Sequence, residues 1–259
     1  MRTDQETKTV IDILKNHMGF EAEKIPECPE CKENRSDISA WKNGDYYLFE
    51  VKSRGDHPAL MEQVEKNQNN EIAEYSRELK RSNTISSVVE DASEQLAQTP
   101  KINNDFSCVW FRAAQHFIPD EIEFIQTSLY GIKYLLISDS EGKAYSAKCY
   151  YFDYNDFFKF KNINAVVIDN GTGIHICINN HSNRIKEFRT SELYKYFEAT
   201  NSLIDPDKFT KNSGNLVADI NCSRKEVDKV KNHIFEKYGL QVRNIFPMQS
   251  MAGVIKCPY

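Results

Sequence analysis

Apolar residues recur at helical spacing over residues 4 to 18, where Val10, Ile11, Leu14 and Met18 form one stripe and Gly19 closes it. The period then shortens to two. Residues 20 to 25 predict a short strand, followed by a loop punctuated by Pro26, Cys28, Pro29 and Cys31. Residues 36 to 52, SDISAWKNGDYYLFEVK, predict a hairpin, because Asn43-Gly44 supplies the positive φ that a two-residue type I′ turn requires at both central positions. Counting outward from that turn sets Lys42 against Asp45, Trp41 against Tyr46, Ser39 against Leu48 and Asp37 against Glu50. Asp37, Ser39, Trp41, Tyr46, Leu48, Glu50 and Lys52 therefore share one face.

Residues 53 to 84 are polar, with helical periodicity only in patches, which predicts a mobile or peripheral helical insertion. Arg77, Lys80 and Arg81 form the densest basic cluster there, at helical spacing. A stronger helix follows over residues 86 to 98, with Ile85, Val88, Val89, Ala92 and Leu96 as its stripe and Gln95 at the edge. The run FSCVWFRA, residues 106 to 113, is continuously apolar rather than alternating, as expected of a strand buried on both faces. Pro119 opens a helix reaching Tyr130, and strands are predicted at 133 to 139, 145 to 152 and 165 to 179, the last broken by the turn Asn170-Gly171-Thr172-Gly173. The helix SELYKYFEAT comes next. The chain finishes with a strand over 216 to 220, a helix over 224 to 238 with Ser223 as N-cap and Gly239 after its end, and one or more strands through Ile255. The class is α/β, divided as a first domain over 1 to 190 and a small α+β accessory unit over 200 to 259.

The hairpin also carries the chemistry. Carboxylates directly opposed across two strands repel. A divalent cation between Asp37 and Glu50 relieves that, since Mg²⁺ is commonly held through one or two carboxylates with waters and phosphate completing its shell. Lys52 then meets a phosphate or an activated water; alternatively it simply neutralises the pair. Asp37, twelve intervening residues, then Glu50-Val51-Lys52 resembles the active-site signature of the PD-(D/E)XK nuclease superfamily, which includes restriction endonucleases and Holliday junction resolvases. Ser36 stands where the name's proline would be. The resemblance covers residues 1 to about 113 and implies an αβββαβ core with a central mixed sheet.

It further implies a metal-dependent nuclease, with DNA the expected nucleic acid. Asp37, Glu50 and the main-chain carbonyl of Val51 would ligate Mg²⁺ or Mn²⁺, and Lys52 would orient the attacking water. Glu6, at the edge of the first helix's stripe, resembles the extra acidic residue many members direct at the metal; its other reading is a glutamate favoured by the helix dipole. Gln95 resembles the polar residue that approaches the site from the following helix, or is a solvated edge position. The alternative from a different class is a catalytically inactive nuclease fold used in nucleic-acid binding or protein assembly.

Composition narrows this only modestly. The chain has 259 residues and a formal net charge of −5, which argues against coating nucleic acid through overall charge but leaves room for a local basic groove. No apolar stretch reaches the ~20 residues of a membrane span, and the N-terminus lacks a secretory signal's apolar core, so a soluble cytoplasmic protein is expected. Seven cysteines fit reduced thiols. Structural zinc at Cys28 and Cys31 is not expected, because no second close pair follows; His57, Cys108 or Cys149 would have to complete it. His175 and Cys177 share strand parity, as many core residues do. Members of the superfamily often act as homodimers, but no dimer surface is legible here.

Overall fold

The computed structural model describes residues 2–26, 35–54, 62, 73–101, 105–113, 119–209, 214–247 and 249–254. Cys28, Cys31 and His57 lie outside these, as does most of the 53 to 84 segment. The contacts gather into two units that each take three pieces of chain, in place of the linear division at 190 to 200. The first holds Met1–Arg54, Asn83–Ala114 and Asp156–Lys208; the second holds Gly55–Ser82, Gln115–Asn155 and Phe209–Tyr259.

The first unit is built on a seven-stranded mixed sheet. Its strands are β1 (Glu21–Lys24), β2 (Ile38–Lys42), β3 (Asp45–Arg54), β5 (Phe106–Ala113), β8 (Ala165–Asp169), β9 (Ile174–Ile178) and β10 (Leu203–Ile204), adjacent in that order. The centre, β3-β5-β8, is parallel, while β1-β2-β3 and β8-β9 are antiparallel. Central β5 is buried from Phe106 through Phe111, which explains its uninterrupted apolar run. Helix α1 (Arg2–Asp12) runs into a π-helical turn, Ile13–His17. Val10 and Leu14 pack with Phe49, Val51 and Trp110, and Phe188 of α5 (Ile185–Phe188) and Leu193 and Phe197 of α6 (Glu192–Ala199) join the same cluster. Helix α2 (Asn83–Gln98) is the crossover between β3 and β5, and α4 (Asp156–Lys159) precedes β8.

In the second unit, β6 (Lys133–Ser138) and β7 (Ala144–Tyr150) form an antiparallel pair, extended by β12 (Gln241–Phe246) beside β6 and β11 (Asn215–Val217) beside β7. Helices α3 (Pro119–Tyr130) and α7 (Val227–Tyr238) belong to this unit, and Val230 and Ile234 of α7 pack with Leu135, Ile137 and Cys149. The final strand, β13 (Gln249–Val254), pairs with β4 (Ala73–Glu78).

Two expectations are corrected. Residues 73–78 are strand, not helix, so Arg77 lies in β4 and the basic cluster has no helical face; Lys80 is exposed and pairs with Glu78 at 2.9 Å. The last helix starts at Val227 with Glu226 at its N-cap, rather than after Ser223, whose carbonyl accepts Glu226 N–H in a preceding turn. Among the described residues no helix is long and apolar enough to cross a membrane.

Candidate active site

The hairpin register is the one counted from the sequence, from Lys42 opposite Asp45 to Ile38 opposite Phe49. Asn43 and Gly44 have φ of 51° and 90°, as a type I′ turn requires. The turn is also tied to α6: Asn43 Nδ2 donates to Glu192 Oε2 at 3.0 Å, and Glu192 N–H donates to Asp45 Oδ2 at 2.8 Å.

At Asp37 the ladder changes. Ile38 is the register partner of Phe49, yet it is Asp37 N–H that donates to Phe49 O, at 3.0 Å. Such a slip behaves as a β-bulge, which re-aims a side chain. Asp37 Oδ2 accepts the N–H of Val51 at 2.8 Å, and its carbonyl accepts Ile25 N–H at 2.9 Å. The aspartate therefore brackets Glu50, bonding the residue before it through the backbone and the residue after it through the side chain.

Glu50 is deeply buried, its side chain 3% exposed. Oε1 lies 2.8 Å from Lys52 Nζ, whereas buried Oε2 has no hydrogen-bond partner. Burial, reinforced by the charge of Asp37 and only partly offset by Lys52, pushes the Glu50 carboxyl up to about 7. Burial also raises Asp37, against the lowering effect of Val51 N–H and Lys52. The negative charge of Asp37 thus opposes ionisation of Glu50, and once Glu50 is ionised its buried Oε2 is left unsatisfied.

Lys52 Nζ also donates to Gln95 Oε1 at 2.6 Å. Gln95 is thus brought to the site from α2. Its position is fixed by a residue that sequence reasoning missed: Thr99 Oγ1 donates to Gln95 O at 2.8 Å and accepts Ser36 N–H at 2.7 Å. Ser36 occupies the position of the signature's proline, and the bond it makes uses the amide hydrogen that proline lacks. No spacing rule would have flagged Thr99, because the contact joins residues 63 positions apart.

Glu6 is committed elsewhere. Arg112 Nε donates to Glu6 Oε2 at 2.6 Å, and Arg112 Nη1 is bonded to Asp169 Oδ2. Arg112 is the register partner of both Ser53 and Asp169, and Ser53 alternates with Lys52, so this cluster lies on the opposite face from Glu50 and Lys52. The only sign of Arg112 in the sequence is a charge at the end of an apolar run. For Val51, the contact seen is its N–H to Asp37.

Among the described residues no group of three or more His, Cys, Asp or Glu side chains makes a ready cage for a metal ion. The hard-oxygen donors present are those of Asp37 and Glu50. Cys108 and Cys149 are buried free thiols, raised by burial, and Cys177 is buried in the core beside Ile176 and Ile178. Comparison with protein-family models, characterised proteins and solved structures gives no match.

Proposed function

We propose that the chain is a metal-dependent nuclease with a restriction-endonuclease-like core, hydrolysing phosphodiester bonds of nucleic acid, DNA first, at Asp37, Glu50 and Lys52. One observation carries this reading: a buried glutamate whose free oxygen faces no donor and whose neighbour is a second carboxylate. A functional site is where such an unsatisfied, strongly shifted group is expected. The donor set suits a hard divalent ion such as Mg²⁺ or Mn²⁺, with Asp37 and Glu50 as its side-chain ligands. When bound, the ion supplies a water of lowered pKa and neutralises charge on the scissile phosphate. Lys52, oriented by Gln95 and Glu50, holds a positive charge and a proton beside the position where phosphate charge develops. Thr99 is a positioning residue, keeping Ser36, and so Asp37, in register with Gln95.

A second reading, a nuclease-like fold retained for binding or assembly, is favoured by the engagement of the Lys52 ammonium with both Glu50 and Gln95. Calorimetric titration with Mg²⁺ and Mn²⁺, alongside cleavage of plasmid and single-stranded DNA, separates the two. Binding that disappears in Glu50→Gln together with cleavage is the expected result. Absence of cleavage with every divalent ion tried selects the second reading.

A further inference from the structure

The face of the hairpin that carries Asp37, Glu50 and Lys52 continues toward the turn into a pocket of ≈ 480 Å³. Ser39, Trp41, Tyr46 and Leu48 line it, the alternate residues of both strands, and Thr99 completes the wall nearest the site. Leu48 is buried, whereas Trp41 and Tyr46 are half-buried, so the pocket has an apolar floor and two open aromatic rings. These two residues are direct register partners. Their Cβ atoms are therefore about 5 Å apart, and both side chains line the pocket from one face of the hairpin.

We propose that this pocket takes an unpaired nucleobase of a single-stranded nucleic acid whose backbone passes the Asp37–Glu50 pair, an inference that rests on reading that pair as a phosphodiester-cleaving site. The size lies within the usual range for small-molecule pockets. Aromatic side chains are stacking platforms that accept every base, since each base has a π-face. Charge separates a base from a phosphate as the occupant: Glu23 and Asp105 line the pocket against the single guanidinium of Arg35. That balance disfavours a phosphate as the occupant.

Distance fits as well. Tyr46 and Glu50 are four residues apart on β3, or roughly 13 Å at strand spacing, so base and cleavage site belong to neighbouring positions on one strand. A paired base would first have to leave its stack, which favours an unpaired strand. Thr99 joins the two regions, lining the pocket while its hydroxyl oxygen holds Ser36 N–H beside Asp37.

The chain has two tryptophans, and Trp110 is fully buried, so quenching of fluorescence by added nucleic acid reports on Trp41. The full chain, kept in chelator to prevent turnover, is titrated with a short mixed-sequence single-stranded DNA and then with the same sequence as a blunt duplex. The single strand should quench and the duplex should not. By anisotropy of an end-labelled strand, Trp41→Ala should bind about 5- to 150-fold more weakly, the range for loss of one stacked base, while Trp41→Phe keeps most of the affinity. Melting curves of both variants identify a folding defect, and the parent's own quenching stands independently of them. No quenching by the single strand, equal affinity for the duplex, or a folded Trp41→Ala binding like the parent would overturn the pocket assignment. If the single strand binds as described but no divalent ion supports cleavage, the pocket stands as a base site and the nuclease reading falls. If cleavage is present and a folded Trp41→Ala binds and cuts the single strand like the parent, the reverse holds.

Discussion

Lys52 with Asp37 and Glu50, and Arg112 with Glu6 and Asp169, assemble the same chemical groups on opposite faces of one sheet: one cation and two carboxylates. The arginine fork reaches both of its partners. A planar guanidinium with five donors can bridge two carboxylates at once. The lysine instead contacts Glu50 and Gln95, leaving Asp37 to a backbone N–H and Glu50 Oε2 to nothing. One cluster is closed and the other incomplete. An arrangement that leaves a buried carboxylate oxygen unsatisfied costs stability, and such a cost persists where the group has another use.

The comparison is tested most severely by removing the lysine charge or the glutamate. Lys52→Ala and Glu50→Gln should each lower cleavage of DNA by at least ~10²-fold, the scale of a positioned acid–base group, but only Glu50→Gln should abolish binding of Mg²⁺ in calorimetry. If the two variants behave alike in both measurements, the incomplete cluster is not a metal site. Arg112→Ala should do the opposite: a loss of about 3 kcal/mol in urea denaturation, from stranding two partly buried carboxylates, with divalent binding unchanged in the folded protein.

Proton linkage gives a smaller effect with a definite sign. Glu50 is raised from its ordinary value to about 7, so the folded state binds its proton more tightly than the unfolded chain does. The stability this confers is fully present below about 4.5 and is lost as pH rises toward and through 7. Glu50→Gln should remove that slope and leave the apo fold on the order of 1–3 kcal/mol more stable than the parent at pH 8. Denaturation curves at pH 5 and pH 8 check this; a variant less stable than the parent at pH 8 would show that the Glu50–Lys52 contact outweighs the repulsion. Because a ligating carboxylate must be ionised, Mg²⁺ affinity should also fall as pH drops below 7.

The gentlest perturbation is Gln95→Ala. It should lower cleavage about tenfold while leaving Mg²⁺ affinity alone, since Gln95 touches Lys52 and neither carboxylate. A change in metal affinity would place the glutamine differently.

Sequence legibility followed the range of the interaction. Asn43-Gly44 sets its own geometry and hence the register of every pair up to Phe49, because turn and strands are contiguous. The boundaries of β5 and α3 were legible for similarly local reasons, an unbroken apolar run and a proline at the helix start. Glu6 was harder to place, since a stripe defines which side of a helix is buried but not which charge waits on the sheet. β4 was hidden because its residues are polar and its partner lies at the other end of the chain. The slip at Asp37 escaped register counting for a third reason: a bulge is a choice between two hydrogen-bonding patterns that period-two alternation cannot distinguish.

The threading of the chain through two discontinuous units has a consequence for its synthesis. The first unit gains its last strand, β10, only at Ile204, by which point β4, β6 and β7 are already made while β11, β12 and β13 are still to come. Strand edges that must wait for distant partners are slow to pair and available to neighbouring chains in the meantime. A deletion at the end of the first unit is therefore expected to yield insoluble material rather than an isolated domain, since a chain released at Lys208 carries β4 without its partner and the β6–β7 pair with both edges left open.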